Sequence, residues 1–422
     1  MYPQENGKKV KLYTGSYNAP VVTGDGSVYL GNGQGICLWE FDESTGEVRL
    51  EESWPGALNA SWLTISPDGK MLYAVNELDD YEGTMGGALS AYHIDTQGCL
   101  AADSILPVMG AAPCHVSCDG SGRYVFTANY NGGSMSCFRL SPDGGLAEMD
   151  GQLVHSFGEK ENADGRERLR HPVRQEKPHV HSAAVKDGFV WVADLGTDEI
   201  SCYELDEEGK PGKCAASVFL EAGSGPRSFA FSQAGNMVYV TCELKNRIAV
   251  YRWEKEERRL SFVQMVSSLP EEDAGVESSI GGIVLSDDGR YIYVGNRGTD
   301  TIGVFAVDND GFLSPVQWIS SEGKNPRGFT LAPSGGWLLA ANQDSDNLVV
   351  FEREPDTGLL RKKKVYEAGA WSVCCLRNKA SGSQKTCFAK LLCKITPLQA
   401  KIKNVTIIKT ILSSCKKKGY PA

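Results

Sequence analysis

The 422-residue sequence lacks an apolar run of eighteen residues, and its start shows no basic segment followed by an apolar one. We therefore expect neither a membrane-spanning helix nor a signal peptide, since both need such apolar stretches. Prolines fall between the apolar runs throughout the first 376 residues, which argues against long helices there. The composition predicts a cytoplasmic protein built from strands.

The thirteen cysteines include no Cys-X-X-Cys pair and no Cys/His spacing typical of a metal site. Most lie in or beside predicted strands, as Cys37, Cys137, Cys202 and Cys242 do. A reduced thiol in such a position behaves as a small hydrophobic group. We expect buried thiols, and neither a metal ion nor another cofactor.

Basic residues are scarce except at the end of the chain. Eleven of the 43 Lys and Arg residues lie from Arg377 onward, where there is no acid, so the preceding residues carry 32 basic against 53 acidic side chains, a net charge of −21. We predict one domain over residues 1–376 and a basic extension over residues 377–422. A basic tail is able to bind nucleic acid or an acidic membrane surface. We favour an extension without a role in the fold, or a product of an altered reading frame, and expect no nucleic-acid or membrane partner.

One pattern, an apolar run that ends in Asn or Asp and meets a polar turn, occurs six times, with a weaker seventh copy in LYTGSYNAP. The copies are MLYAVNELDD, YVFTANYNGG, FVWVADLGTD, MVYVTCELKN, YIYVGNRGTD and WLLAANQDSD. They align Asn76, Asn129, Asp194, Cys242, Asn296 and Asn342 at steps of 53, 65, 48, 54 and 46 residues. A period near fifty residues indicates a repeat architecture.

Each repeat contains about four apolar runs separated by turn residues such as PDG, KDG or DDG. Glycine and aspartate supply the positive φ of tight hairpins, so each repeat predicts a four-stranded antiparallel propeller blade. Counting the N-terminal copy, we predict an all-β, seven-bladed β-propeller. Strands from the two ends of the chain would share one blade and close the ring, which hides the sheet edges.

In such a blade the start of the innermost strand and the end of its antiparallel neighbour lie on the same face. The aligned strand ends, one residue after the Asn/Asp position, are Glu77, Tyr130, Leu195, Glu243, Arg297 and Gln343. The aligned inner-strand starts are Ser61, Ala112, His181, Arg227, Gly281 and Arg327. We predict that these residues meet at one axial mouth, whereas the Asn/Asp positions mainly hold turns through backbone hydrogen bonds.

The longest step between repeats contains the polar loop HSFGEKENADGRERLRHPVRQEKPHVHS, which runs into His181. Its basic side chains include Arg166, Arg168, Arg170, His171 and Arg174. Long loops in compact domains are usually functional or disordered. We interpret this loop as a lid or an anion clamp beside the mouth.

The motifs KPHVHSAAV, GSGPRSFAF, CELKNRIAVY, GNRGTDTIGVF and NPRGFTLAPSGGWLLAANQDSDNLVVF occur in this order. Together they resemble the seven-bladed β-propeller lactonases, which include bacterial 6-phosphogluconolactonases and fungal carboxymuconate-lactonising enzymes. The resemblance covers residues 10 to 376 and implies that His181, Arg227, Glu243 and Arg297 are catalytic. The chain departs from the family pattern at Ser228, where many relatives have histidine, and at Gly281-Gly282, where an acid is common.

The resemblance implies a hydrolase that opens a sugar δ-lactone, most simply 6-phospho-D-glucono-1,5-lactone to 6-phosphogluconate in the pentose phosphate pathway. This reaction needs a base for water, a donor for the oxyanion and a proton for the leaving alkoxide. We assign His181 as the base and Glu243 as the orienting or shuttling acid, with the exchange of these two roles open. We assign substrate binding to Arg327, Arg174, His179, Glu77 and Gln343.

An anionic sugar lactone is the expected partner, because these arginines provide a local positive patch within an acidic domain. Two other functions fit the same pattern. A muconate-lactonising cycloisomerase would use the same four residues, and a non-catalytic propeller scaffold would need none of them. The oligomeric state is left open.

Overall fold

The computed structural model of the chain describes residues 9–24, 26–157 and 171–367 with their side chains, and residues 372–377 in backbone. This part contains seven four-stranded antiparallel sheets and one two-stranded sheet. Its regular helical segments are two short 3-10 turns, Glu243–Lys245 and Glu271–Asp273. The predicted seven-bladed, all-β propeller is confirmed. No helix of the described residues is long and apolar enough to cross a membrane.

Six blades are continuous in sequence, and the seventh, here called the closing blade, joins both ends of the chain. The closing blade begins with β1 (Lys9–Gly15), β4 (Ile36–Asp42) and β5 (Glu47–Trp54), with the hairpin of β2 (Val21–Val22) and β3 (Val28–Tyr29) inserted after β1. Blade 1 contains β6 (Ala60–Ile65), β7 (Met71–Asn76), β8 (Ala88–Ile94) and β9 (Leu100–Pro107). Blade 2 contains β10 (Pro113–Cys118), β11 (Tyr124–Asn129), β12 (Ser134–Leu140) and β13 (Leu146–Val154). Blade 3 contains β14 (Val180–Lys186), β15 (Phe189–Asp194), β16 (Glu199–Leu205) and β17 (Pro211–Phe219).

The remaining continuous blades follow the same order. Blade 4 contains β18 (Pro226–Phe231), β19 (Met237–Cys242), β20 (Arg247–Glu254) and β21 (Arg259–Ser267). Blade 5 contains β22 (Ser279–Leu285), β23 (Tyr291–Arg297), β24 (Thr301–Val307) and β25 (Leu313–Ser320). Blade 6 contains β26 (Pro326–Leu331), β27 (Trp337–Asn342), β28 (Asn347–Arg353) and β29 (Leu360–Glu367). The last strand is β30 (Ser372–Arg377).

The ring closes through β30, which pairs antiparallel with β1 in the order β30-β1-β4-β5. First strands of successive blades contact one another around the ring, from β6 and β10 through β26 and β30, and β30 contacts β6. The closure predicted from the repeats is therefore present. Arg377, the first residue of the predicted extension 377–422, is the last residue of this strand and pairs with Lys11. The rest of the predicted extension, residues 378–422, lies outside the described residues.

The second strands of the blades are buried on both faces, because each blade packs against two neighbours. All six residues of β7, β11, β15, β19 and β27 are buried. This explains why these segments read as continuous apolar runs rather than as an alternating pattern. The outermost strands are largely exposed and carry charges, as in the run of four basic residues in β29, which disfavours pairing with other chains.

The hydrophobic core consists of wedges between adjacent blades. Between blades 3 and 4, Trp191 and Trp253 meet edge to face with ring centroids 5.1 Å apart. Replacing an aromatic side chain of this kind by alanine costs about 3–5 kcal/mol. The wedges hold the blades in register, so that the strand ends at the mouth are fixed relative to one another.

Candidate active site

A cavity of about 370 Å³ opens at the axial mouth. Two sets of backbone positions, one from the first strands and one from the second strands, supply most of its wall. The first set lies at β-bulges, because the pairing of first and second strands is interrupted near the start of the first strand in each continuous blade. A bulge bends the strand and changes the direction of one side chain. The bulged residues are Ser61, Cys114, His181, Arg227 with Ser228, Gly281 with Gly282, and Arg327.

Four bulged side chains, those of Cys114, His181, Arg227 and Arg327, line the cavity. The second blade differs from the prediction, which aligned Ala112 with His181 and Arg227. The bulged residue there is Cys114, and Ala112 instead occupies the preceding turn at a φ of 49°. The repeated proline before the bulge, present as Pro113, Pro226 and Pro326, was the sequence signal for the correct alignment.

Blade 5 contributes no side chain from its bulge. A Cβ atom added at Gly281 would lie 2.6 Å from the carbonyl oxygen of Pro326, and one at Gly282 would lie 2.7 Å from that of Arg327. The paired glycines therefore let β26 approach closely. The acidic residue that the resemblance led us to expect has no room in this arrangement.

The second set lies one residue after the buried second strands, as predicted. Five of the six predicted strand-end residues line the cavity: Glu77, Tyr130, Glu243, Arg297 and Gln343. Leu195, the sixth, is fully buried and packs in a small apolar cluster with Ala112, Cys114 and Tyr130. Of the Asn/Asp side chains just before them, four bond to backbone, as when Asn296 Nδ2 donates to the Ser268 oxygen at 3.0 Å, whereas Asn129 bonds to the side chains of Thr127, Ser134 and Ser136.

Glu243 is the centre of an ion-pair cluster. Its Oε1 is 2.7 Å from Arg174 Nη2, and its Oε2 is 2.8 Å from Arg227 Nε and 3.0 Å from Arg297 Nη2. Only 1% of the Glu243 side chain is exposed. Burial by itself would raise the pKa of this carboxyl, but the guanidiniums of Arg297, Arg174 and Arg227 outweigh burial and hold the pKa well below 4.5. Glu243 is therefore ionised at neutral pH.

Arg227 and Arg297 both lie against Glu243, but they differ in exposure. Burial and the adjacent Arg297 cation lower the pKa of Arg227 to about 10, so it remains charged at neutral pH. The Nη1 of Arg227 donates to the hydroxyl of Ser228 at 3.0 Å, and only 1% of its side chain is exposed. Arg297 Nη2 also donates to the Ile280 carbonyl at 3.2 Å, and 16% of its side chain is exposed. Arg297 thus presents part of its guanidinium to the cavity.

Glycines bracket Arg297 for separate reasons. A Cβ atom at Gly295 would lie 2.4 Å from the Pro326 oxygen, and Gly298 has a φ of 100°, a value that L side chains rarely adopt. The first glycine allows β23 to pack against blade 6, and the second allows the turn after the strand. Together they fix the backbone from which Arg297 reaches the cavity.

His181 lies against the same cluster. Its Nε2 is 3.7 Å from Glu243 Oε2, and its ring meets Tyr130 edge-on with centroids 5.3 Å apart. Burial, reinforced by the Arg227 charge, holds the pKa of His181 well below 6.5 despite the nearby carboxylate. The imidazole is therefore neutral at physiological pH, which leaves one ring nitrogen able to accept a proton.

A second cluster of polar side chains in the wall surrounds Arg327. Its Nη1 donates to Gln343 Oε1 at 2.7 Å, its Nη2 is 3.7 Å from Glu77 Oε2, and its guanidinium lies 5.3 Å from the centroid of the Tyr17 ring. Burial by itself would lower the pKa of Arg327, but Tyr17 and Glu77 outweigh it and raise that pKa. Arg327 is thus a permanent cation held apart from the Glu243 cluster.

The polar loop before His181 reaches the cavity through Arg174. Its Nε donates to the Tyr130 hydroxyl at 3.0 Å while its Nη2 contacts Glu243. His171 supports the local turn, since its Nδ1 accepts from the Arg174 amide at 3.1 Å. Arg166, Arg168 and Arg170 lie in residues 158–170, outside the described residues. The described part of the loop therefore places one guanidinium, that of Arg174, in the cavity wall, and its role as a lid or an anion clamp stays a prediction.

His179 lies behind the wall rather than in it. Its ring stacks on Tyr130 at 4.4 Å between centroids, and its two ring nitrogens contact the Tyr130 carbonyl oxygen and the Glu176 carboxylate. Tyr130 lies between the His179 ring and the cavity, and His179 does not line the cavity. This geometry therefore does not support the assignment of His179 to substrate binding. His179 supports Tyr130 instead.

The hairpin of β2 and β3 adds wall residues that sequence reasoning missed, namely Thr23, Gly24, Ser27 and Tyr29. A Cβ atom at Gly24 would lie 2.7 Å from Arg174 Nε and 2.8 Å from the Tyr130 hydroxyl, so this hairpin packs directly on these two side chains. Other wall residues that were not predicted are Tyr17, Cys114, Ser279, Asn325 and Asp344. The hairpin interrupts the weak N-terminal repeat, which concealed it.

The wall therefore combines a neutral imidazole, an ionised carboxylate, four guanidiniums and several hydroxyls. Such a set is suited to general acid–base chemistry on an anionic substrate. Within the described ranges no three His, Cys, Asp or Glu side chains are placed to hold a metal ion. Fold and site together define a β-propeller enzyme with acid–base and anion-binding groups at one mouth.

Comparisons with known proteins identify the family to which this enzyme belongs. The sequence model of the family described as "Lactonase, 7-bladed beta-propeller" matches residues 11–376, and the chain belongs to this family. The 6-phosphogluconolactonase of Bacillus subtilis strain 168 is 33% identical over 342 residues, which are 79% of this chain and 92% of that protein. The 6-phosphogluconolactonase of Formosa agariphila is 29% identical over 339 residues, 78% of this chain and 91% of that protein.

A solved structure agrees with this assignment. The Pseudomonas aeruginosa periplasmic gluconolactonase PpgL is 31% identical, with a TM-score of 0.74 over 88% of this chain and 99% of that one. The resemblance noted in the sequence is thereby confirmed, and the chain is a member of a family of lactone hydrolases.

Proposed function

We propose that this chain hydrolyses 6-phospho-D-glucono-1,5-lactone to 6-phosphogluconate, the reaction after which its Bacillus and Formosa relatives are named. One observation carries the proposal: a neutral imidazole and the partly exposed guanidinium of Arg297 line the same cavity beside a carboxylate that is already neutralised. These are the base and the oxyanion donor that lactone opening requires.

His181 acts as the general base. Nε2 accepts a proton from a water molecule as the water oxygen bonds to C1 of the lactone, and the carbonyl electrons move onto its oxygen. A base that is neutral across the physiological range is available without prior deprotonation. The collapse of the intermediate breaks the bond between C1 and the ring oxygen, which takes the proton back from His181 to become the free hydroxyl of the product.

Arg297 stabilises the oxyanion through its guanidinium. This cation is held at Glu243 and at the Ile280 carbonyl, so little reorganisation accompanies the reaction. Preorganised donors of this kind contribute roughly 100-fold to 1,000-fold in rate.

Glu243 orients the arginines and is not the base. Both its oxygens lie within 3.0 Å of guanidinium nitrogens, which leaves little room for a reacting water beside them. Of the two role assignments left open by the sequence, the geometry supports His181 as base. Glu243 also keeps three cations close together that would otherwise repel one another.

The substrate phosphate is bound by the net positive charge of the wall. Four arginines, Arg174, Arg227, Arg297 and Arg327, face three carboxylates, Glu77, Glu243 and Asp344, and His181 is neutral. The balance of one positive charge attracts an anion although the domain as a whole is acidic. The wall also carries the hydroxyl groups of Tyr17, Thr23, Ser27, Tyr29, Tyr130 and Ser279, and hydroxyls are groups that hydrogen-bond a sugar.

A second candidate substrate is the unphosphorylated lactone, which the name of the Pseudomonas relative favours. The two substrates should be compared side by side, with freshly prepared 6-phosphogluconolactone and glucono-1,5-lactone and subtraction of spontaneous hydrolysis. We expect a higher kcat/KM for the phosphorylated lactone, and Arg327→Gln to reduce that preference. Equal kcat/KM values would reject the phosphate assignment, and no turnover of either lactone would reject the function. Turnover of an open-chain muconate in the latter case would indicate the cycloisomerase.

We also propose a cytoplasmic location. Eight free cysteines occur in the described residues, including the exposed Cys214, and such thiols are typical of reducing compartments. Fractionation of the native host tests this, and recovery from the periplasm or the medium would contradict it.

A further inference from the structure

Cys114 and His181 occupy equivalent bulges in neighbouring blades, and this equivalence brings their side chains into contact. Cys114 Sγ lies 3.6 Å from His181 Nδ1 and 3.5 Å from the His181 carbonyl oxygen. A bulged residue leaves the regular strand pairing, so the His181 carbonyl needs a donor from elsewhere. The thiol of Cys114 supplies it.

Counting hydrogens assigns the direction of both contacts. A thiol carries one hydrogen, and a carbonyl oxygen only accepts, so the sulfur–oxygen contact places that hydrogen on the side of the carbonyl. The sulfur then faces Nδ1 with its lone pairs. The second contact is attractive only if Nδ1 carries the imidazole hydrogen and donates it to sulfur. The opposite tautomer would satisfy one contact instead of two.

Both groups remain in the neutral forms that this count assumes. Burial raises the pKa of the Cys114 thiol and lowers that of the His181 imidazole. Cys114 is therefore neither a nucleophile nor an anion here. Glu243 does not compete for the ring hydrogen, because its Oε2 is 3.7 Å from Nε2 and already holds two guanidiniums.

We propose that Cys114 is a positioning residue that holds His181 in the tautomer with hydrogen on Nδ1, so that Nε2 presents its lone pair to the cavity. The tautomer assignment stands on the contacts alone, whereas its effect on rate rests on the proposed function. In serine proteases, loss of the group that holds the histidine tautomer costs about 10⁴-fold in kcat. A neutral sulfur acceptor is weaker than a carboxylate, so we expect a loss on the order of tenfold for Cys114→Ala.

The test uses the full chain with ¹⁵N-labelled histidine, and compares Cys114→Ala with Cys114→Ser. Nitrogen shifts and ring proton correlations identify the tautomer of His181 without substrate, and His181→Gln assigns the signal. We expect hydrogen on Nδ1 in the parent chain and in the serine variant, whose hydroxyl also donates and accepts. The alanine variant should populate the other tautomer and lose kcat about tenfold with little change in KM.

Cys118→Ala is the matched control, because Cys118 lies in the same strand, packs on an apolar cluster and does not line the cavity. It should preserve both tautomer and kcat. Hydrogen on Nε2 in the parent chain would overturn the inference, as would an alanine variant with unchanged tautomer. If the tautomer changes as expected but no lactone is turned over by the parent chain, the proposed function fails and the positioning contact stands.

Discussion

Replacement of Arg297 by alanine separates catalysis from stability in this site. The change removes one of three cations around Glu243, yet Arg174 at 2.7 Å and Arg227 at 2.8 Å still neutralise the carboxylate. It also relieves the repulsion by which Arg297 lowers the pKa of Arg227. The loss of stability should therefore be about 1–2 kcal/mol, below the roughly 3–5 kcal/mol that follows when a buried charge is left alone.

The effect of Arg297→Ala on turnover should be larger than its effect on stability. Loss of the Arg297 guanidinium removes oxyanion stabilisation, which corresponds to a fall in kcat/KM of roughly 100-fold or more, or about 2.7 kcal/mol. Arg297→Lys should recover only part of this, because a point charge does not reproduce the planar set of N–H donors. The expectation is thus a nearly intact melting curve with a strongly reduced rate.

The assay follows acid release from fresh 6-phosphogluconolactone, alongside a melting curve for each variant. Arg259→Ala is the matched control, since Arg259 is an exposed arginine on an outermost strand, paired with Glu254. Arg259→Ala should change neither the rate of acid release nor the melting temperature appreciably. A folded Arg297→Ala variant with near-normal turnover of every lactone tested would show that Arg297 only caps its strand, and the oxyanion assignment would be wrong.

Two further predictions follow from buried histidines and from ring closure. Burial lowers the pKa of His115 to about 3 and that of His181 well below 6.5. As the pH falls below 6.5, the unfolded chain therefore binds more protons than the folded chain. The free energy of unfolding should then fall by about 1.4 kcal/mol per pH unit for each ring. Calorimetry at pH 7.5 and 5.5 measures this, His115→Asn should remove part of the dependence, and a melting temperature that is constant or higher at pH 5.5 would contradict it. Deletion of residues 1–20 removes β1, which links β30 to β4, and should destabilise the whole ring. A truncated chain that melts like the full one would show that this closure is unimportant for stability.

The part of the site that sequence reasoning placed correctly depends on the repeat. His181, Arg227, Arg297 and Glu243 were brought together by aligning strand starts and strand ends, and the cavity wall contains all four. The alignment worked because antiparallel pairing forces these positions onto one face in every blade. The alignment failed in blade 2, where counting residues from the turn gave Ala112. The bulge after Pro113 instead places the side chain of Cys114 in the cavity wall.

Other features could not be read from the repeat. The hairpin that carries Thr23 and Tyr29 is an insertion in the closing blade, so no other repeat indicates where it lies. His179 shares a motif with His181, but it lies before β14 and stacks on Tyr130, whereas His181 lies at the bulge. In both cases the position depends on contacts between segments that are distant in sequence.

The sequence by itself determined the number of blades, their strand order and the mouth at which charged residues gather, because turn residues and buried strands recur in each copy and local hydrogen bonding gives each copy the same form. The tertiary structure alone decided the chemical state of those residues. Glu243 is ionised because three arginines from separate segments surround it, and His181 is neutral because packing buries it beside Arg227. Electrostatic shifts of this kind depend on distances and burial across blades, which no single repeat encodes.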